Sequence, residues 1–137
     1  ADWLLDQQRP AQVVKILDRQ QRTDALLLRH ALALKALNSP DLAAAVEQLR
    51  ARFAASRQRG DRVHLREEAR FTRELLGDNR AALALARDNW AVQKEVPDLR
   101  LLLETALASK DAAIVESARQ WLAHSRAEDI VIKRLLR

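Results

Sequence analysis

Apolar residues in this chain recur at three- and four-residue steps nearly from end to end, the spacing of one face of an α-helix. Nowhere do they alternate in the two-residue step of a strand. The cleanest stripe is Leu42, Ala45, Val46, Leu49 and Phe53. Between Ala25 and Leu37 the apolar positions go almost all round, which predicts a helix sandwiched between neighbours. Asp2 to Gln8 reads as the tail of one helix, and Val13, Val14 and Leu17 mark the next, with Pro10 in its first turn. Thr23 and Asp24 are caps for the helix running to Leu37, and Ser39 before Pro40 is an N-cap for the one after it.

Gly60 suits a helix end and Asp61 a cap. Leu65, Ala69, Thr72 and Leu76 then predict a buried face that Gly77 closes. Helices follow from Asn79 (Ala82, Leu83, Ala86, Trp90), from Pro97 (Leu99, Leu102, Leu103, Ala106) and from Asp111 (Ile114, Ala118, Trp121, Leu122). Ile130, Val131, Leu135 and Leu136 predict a last one, from about Ala127. The fold class is all-α.

Four turn signals divide the chain at near-equal spacing: Gln8-Arg9-Pro10, Ser39-Pro40-Asp41, Gly77-Asp78-Asn79 and Ser109-Lys110-Asp111. Past each comes an apolar anchor with another four residues on: Val13/Leu17, Ala45/Leu49, Ala82/Ala86 and Ile114/Ala118. The steps between anchors are 32, 37 and 32 residues, a mean of about 34, the length of one helix–turn–helix unit in a helical array.

These residues resemble the tetratricopeptide repeat family. Ala82-x-x-x-Ala86 and Ala45-x-x-x-Leu49 match the family's small-then-apolar step in the second helix. Gly77-Asp78 is similar to its inter-helix turn, Ala31 and Ala69 to the small residue that lets two helices approach, and Pro97 to its repeat-opening proline. The chain departs from the pattern in having no Tyr and one long step, which implies a longer helix around 51–58. The resemblance covers almost the whole chain: a truncated repeat over 1–22, repeats over 23–60, 61–95 and 96–126, and a closing helix over 127–137. It implies a right-handed α-α superhelix of antiparallel helix pairs. The concave groove, lined by the first helix of each pair, would hold a peptide or helix of another protein.

Composition narrows the rest. The 137 residues suffice for one domain. The chain contains no Met, so it reads as a piece of a longer protein, and its lack of a leader says nothing of the compartment, cytoplasm or periplasm and cell envelope alike. No apolar run has the length of a membrane span. Without Cys there are no disulfides, thiol nucleophiles or cysteine metal sites. Of 24 basic residues only five are Lys, leaving 19 Arg, and the formal charge is +5. An arginine excess fits an anionic partner through bidentate contacts, or a GC-rich, bacterial-type genome.

Catalytic signals are missing. His30, His64 and His124 fall on three different predicted helices, and no two have ligand spacing for one metal. Glu67 and Glu68 are adjacent and point about 100° apart on a helix, so they cannot act as an acid–base pair; they are expected as solvent-facing partners of Arg70 and Arg73. With two glycines there is no phosphate loop or nucleophile elbow. The reading is non-enzymatic, with no cofactor and no metal. Trp90 and Trp121, at equivalent repeat positions, are expected to fill gaps between stacked repeats, and Trp3 to pack on a helix further upstream.

The constellation that carries a binding expectation is basic. Arg66, Arg70 and Arg73 form a stripe along one predicted helix, beside its buried face. Residues 50–80 hold nine basic against five acidic side chains. His30, Lys35 and Arg100 complete the candidate partner-binding set on the first helices. The expected function is a protein-interaction module. RNA binding through the arginine-rich middle is the alternative, and self-association through the end helices a further one.

Overall fold

A computed structural model describes all residues 1–137 as helices and connections, without a strand. The nine helices are α1 (Asp2–Asp6), α2 (Pro10–Leu17), α3 (Asp24–Ala36), α4 (Leu42–Gln58), α5 (Leu65–Glu74), α6 (Asn79–Val92), α7 (Val96–Ala108), α8 (Ala112–Ser125) and α9 (Ile130–Leu135). No helix is long and apolar enough to cross a membrane. The chain divides into two compact units, Ala1–Glu67 and Glu68–Arg137.

In the first unit α3 packs against both α2 and α4. Leu27, Leu28, Ala31, Leu32, Ala33 and Leu34 are all buried, as the all-round apolar pattern requires. Val13 and Leu17 of α2 meet Ala33, with Leu4 and Leu5 of α1 covering them. The anchors Ala45 and Leu49 are buried on α4 together with Phe53. The long 37-residue step is taken up by α4, 17 residues in one piece. Trp3 stands 64% exposed.

In the second unit α7 is the central helix, contacted by α6, α8 and α9. One cluster joins Ala69 of α5, Ala86 of α6 and Leu101 and Leu102 of α7. Another joins Leu99 and Leu103 of α7, Ala118 of α8 and Ile132 of α9. Trp90 and Trp121 pack edge to face with ring centroids 5.0 Å apart, a geometry aromatic quadrupoles favour. A buried polar bond ties α6 to α7: Asn89 Nδ2 donates to Asp98 Oδ1 at 2.6 Å, and Asp98 Oδ2 accepts from the Glu95 amide at 3.0 Å.

The turn signals are helix C-caps. After α1, α3, α5 and α7 the chain passes through one left-handed residue each: Gln8, Asn38, Gly77 and Lys110. In three of the four, the next amide reaches back five residues, Arg9 to Leu4, Ser39 to Leu34 and Asp111 to Ala106, at 2.8–2.9 Å. After Gly77 the Asp78 amide reaches one residue further, to Thr72 at 3.1 Å. This is the Schellman arrangement, which satisfies carbonyls a helix end leaves free. Asp78 and Asp111 then cap the following helices, accepting from the amides of Ala81 and Ile114. A lysine pays a steric cost in the left-handed region that glycine does not, so Lys110→Gly is expected to stabilise the second unit by roughly 0.5–1 kcal/mol, read by urea denaturation.

Several boundaries differ from the pattern's expectation. Ser39 accepts from the Asp41 amide, and the helix begins only at Leu42. Asp61 accepts from the Val63 amide in a local turn, and α5 begins at Leu65. Leu76 lies past the end of α5 and is exposed, whereas Phe71, absent from the expected face, is buried. The last helix starts at Ile130, because Asp129 caps it through the Ile132 amide, rather than near Ala127.

Candidate functional site

Helix α7 has seven buried residues, covered by α6, α8 and α9 and, at Leu101 and Leu102, also by Ala69 of α5. What remains open to water on its body is a narrow stripe of Arg100, Glu104 and Leu107, spaced four and three so that they lie one above another. On α5, Ala69 faces the core, and Arg70, Arg73 and Glu74 are half-buried. The two stripes meet. Arg70 Nε donates to Glu74 Oε1 at 3.1 Å, and Arg73 Nη1 lies 3.5 Å from the same oxygen. Arg73 Nη1 also donates to Glu104 Oε2 at 3.2 Å, while Arg100 Nε donates to Glu104 Oε1 at 3.0 Å.

Three guanidinium groups and two carboxylates thus form one continuous chain of ion pairs linking α5 to α7. Their side chains keep 14–27% of their surface. That matters for energetics. An isolated exposed pair contributes below ~1 kcal/mol, but partly desolvated pairs that share partners hold one another in fixed geometry. The local balance is one positive charge, so the arginines are far closer to neutralised than their stripe in the sequence suggests. They are also half-buried rather than merely beside the packed face.

Of the expected binding set, Arg70, Arg73 and Arg100 come together here. Arg66 is half-buried one turn earlier on α5, at the end of the first unit. His30 and Lys35 lie on α3 in that unit; five positions separate them, about 140° around the helix, so they do not share a face. Lys35 is exposed in the last turn.

Glu67 and Glu68 correct an expectation. Glu68 is buried, and Glu67 points to Arg29 at 3.9 Å instead of to Arg70 or Arg73. Arg29 in turn donates from both Nε and Nη2 to Asp2 Oδ2, at 3.0 and 2.7 Å. In the first unit, then, Asp2 of α1, Arg29 of α3 and Glu67 of α5 form a second line of ion pairs. Sequence reasoning missed Arg29, Glu74 and Glu104. The i, i+4 steps Arg70/Glu74 and Arg100/Glu104 were readable and would have found two of them.

His30 sits at the edge of the first unit's core. Its Nδ1 is enclosed with no hydrogen-bond partner, and Nε2 lies 3.4 Å from Gln21 Nε2. Burial lowers its pKa from the ordinary 6.5, and the charges of Asp18 and Asp41 partly oppose that. A lowered folded pKa means that the unfolded chain binds the proton more readily, so stability is complete above 6.5 and is lost as pH falls from there through the folded value. Wild type is expected to lose more stability than His30→Gln between pH 7.5 and pH 5, measured by urea melts of both at each pH.

No three His, Asp or Glu side chains converge as a metal site would need. No protein-family model, curated protein or solved structure matches the chain.

Proposed function

We propose that the chain is a short tetratricopeptide-like helical array that holds a segment of a partner protein along its first helices, with no catalysis of its own. Two features support the array. The ends of α1, α3, α5 and α7 each pass through one left-handed residue, with a backbone bond reaching five or six residues back. Its side chains also bond across about one repeat length: Arg52 to the carbonyls of Gln21 and Arg22, Arg73 to Glu104, and Ser109 to the Asn79 carbonyl span 30 or 31 residues.

The observation that carries the binding reading is the α5–α7 stripe. It mixes Arg70, Arg73 and Arg100 with Glu74, Glu104 and exposed Leu107. A stripe of both signs with an apolar edge complements a polypeptide, whose side chains offer carboxylates and apolar groups in turn. A uniformly charged phosphate backbone would meet Glu74 and Glu104 as repulsion. The partner segment is therefore acidic with apolar positions, its carboxylates competing with the two glutamates for the arginines.

The test uses a displayed random-peptide library. Enriched sequences should be rich in Asp and Glu, and their Kd should rise at least about tenfold, with a shallower salt dependence, for Arg70→Gln/Arg73→Gln/Arg100→Gln. Glutamine still bonds to Glu74 and Glu104, so the variant keeps its helix content, checked by circular dichroism. Enriched peptides that bind parent and variant alike overturn the reading. Tight, steeply salt-dependent binding of poly(U) RNA with no peptide enrichment turns it to nucleic acid.

A further inference from the structure

The connector between α8 and α9 turns at a residue ill suited to the conformation it takes. The chain reverses at Arg126, which sits at φ 57°, and continues through Ala127, Glu128 and Asp129. Gly60, Gly77 and Asn38 tolerate the left-handed region, whereas Arg126, like Gln8 and Lys110, adopts it at a steric cost. Arg-Ala-Glu is a run of good helix formers. Local preference at Arg126–Glu128 favours continuing α8, and the Asp129 cap together with the docking of α9 opposes it.

A continued helix would have one coherent apolar face. From Trp121 to Ile132 is roughly three turns, and from Ala118 to Leu136 about five, so both pairs fall in register on one stripe. In the folded unit, the same residues lie in a single cluster because α9 turns back onto α7. Ile132 is fully buried with Leu99, Leu103 and Ala118, and Leu135 and Leu136 pack against that cluster. The polar attachment of α9 is thin: Arg119 Nη1 donates to the Leu136 carbonyl at 3.1 Å, and Lys133 lies 3.8 Å from Glu128. At six residues, α9 holds its helix only while it is docked or continuous with α8.

We propose that α9 exchanges between two copies of this chain: the connector straightens into a continuous α8–α9 helix, and each copy's Ile132, Leu135 and Leu136 fill the other's Leu99/Leu103/Ala118 site. The apolar contacts of α9 are kept in the exchanged dimer, and the Asp129 cap is replaced by the hydrogen bonds of the continued helix. The equilibrium is then set by the connector and by concentration, as in any swap of an identical element. Relief of the left-handed Arg126, once per copy, favours the dimer. This does not rest on the α5–α7 stripe, and its test does not involve a peptide ligand.

The experiment is sedimentation velocity on the full chain over a wide concentration range, including samples refolded from urea at high concentration. Wild type should show a dimer with unchanged helix content. Arg126→Gly, which removes the strain and weakens the continued helix, should raise the dimer dissociation constant at least about tenfold. Deleting residues 126–128 leaves α9 too short a tether to reach its own α7 and should make the dimer the main species; adding Ile132→Asp to that chain should abolish it. A wild type that stays monomeric even after concentrated refolding overturns the proposal. So does a dimer indifferent to Arg126→Gly, or one that survives Ile132→Asp, since it would then form through some other face. Should the deletion fail to fold, the wild-type and Arg126→Gly measurements decide by themselves.

Discussion

Ala82→Asp is expected to lower the melting temperature by on the order of 10 °C, reflecting a loss of roughly 4 kcal/mol. Ala82 is fully buried on α6, the helix that packs along α7. A carboxylate there would lose its water and gain no cation, so it would either stay ionised at high cost or be forced to take up a proton. Ala84 provides the control. It lies two positions along the same helix and is exposed, so Ala84→Asp should change stability by no more than about 0.5 kcal/mol. Calorimetry on both variants checks the register of α6 directly. Equal melting temperatures would mean that Ala82 does not face the core.

Asp98→Ala is expected to cost about 3 kcal/mol, although the residue it removes is polar and small. Asp98 and Asn89 are 1% and 2% exposed. Truncating Asp98 strips the buried Asn89 amide of its acceptor in a dry interface and removes the cap of the Glu95 amide at the helix start. Asn89→Leu alone takes away the donor that Asn89 gives to Asp98 Oδ1 and should cost a similar amount. The double variant should cost less than the sum of the two, because neither side of the Asn89–Asp98 bond is then left without its partner and only the Glu95 cap stays lost. A double-mutant cycle in urea measures this coupling. Strict additivity would mean that the bond contributes nothing beyond two separate local effects.

The pattern of apolar positions made the helices legible because a helix buries a stripe, and a stripe has a period. It also identified α3 as a sandwiched helix, since no other environment accepts apolar residues all round. The turns were visible through their chemistry, Gly77 and the capping aspartates above all. What escaped was polar and non-local. Glu68 looks solvent-facing by type, and only the packing around α5 shows that it is buried. Glu104 becomes a partner of Arg73 because α7 lies against α5, a separation of 31 residues that no local rule reads. Asn89 and Asp98 belong to the same class: each is ordinary on its own helix, and they matter only as a pair. In the candidate site, the arginines were therefore found and the glutamates that restrain them were not.

The edge-on contact of Trp90 with Trp121 has a spectroscopic consequence. Two indoles at 5.0 Å couple their excited states and give near-ultraviolet circular dichroism that free indoles lack, and both belong to the second unit. Trp3, the third indole, is exposed in the first unit and emits at long wavelength, folded or not. Intrinsic tryptophan signals therefore watch one unit almost alone, whereas far-ultraviolet helix signal watches both. Recording the two together during a single denaturation distinguishes units that melt as one from units that melt in turn.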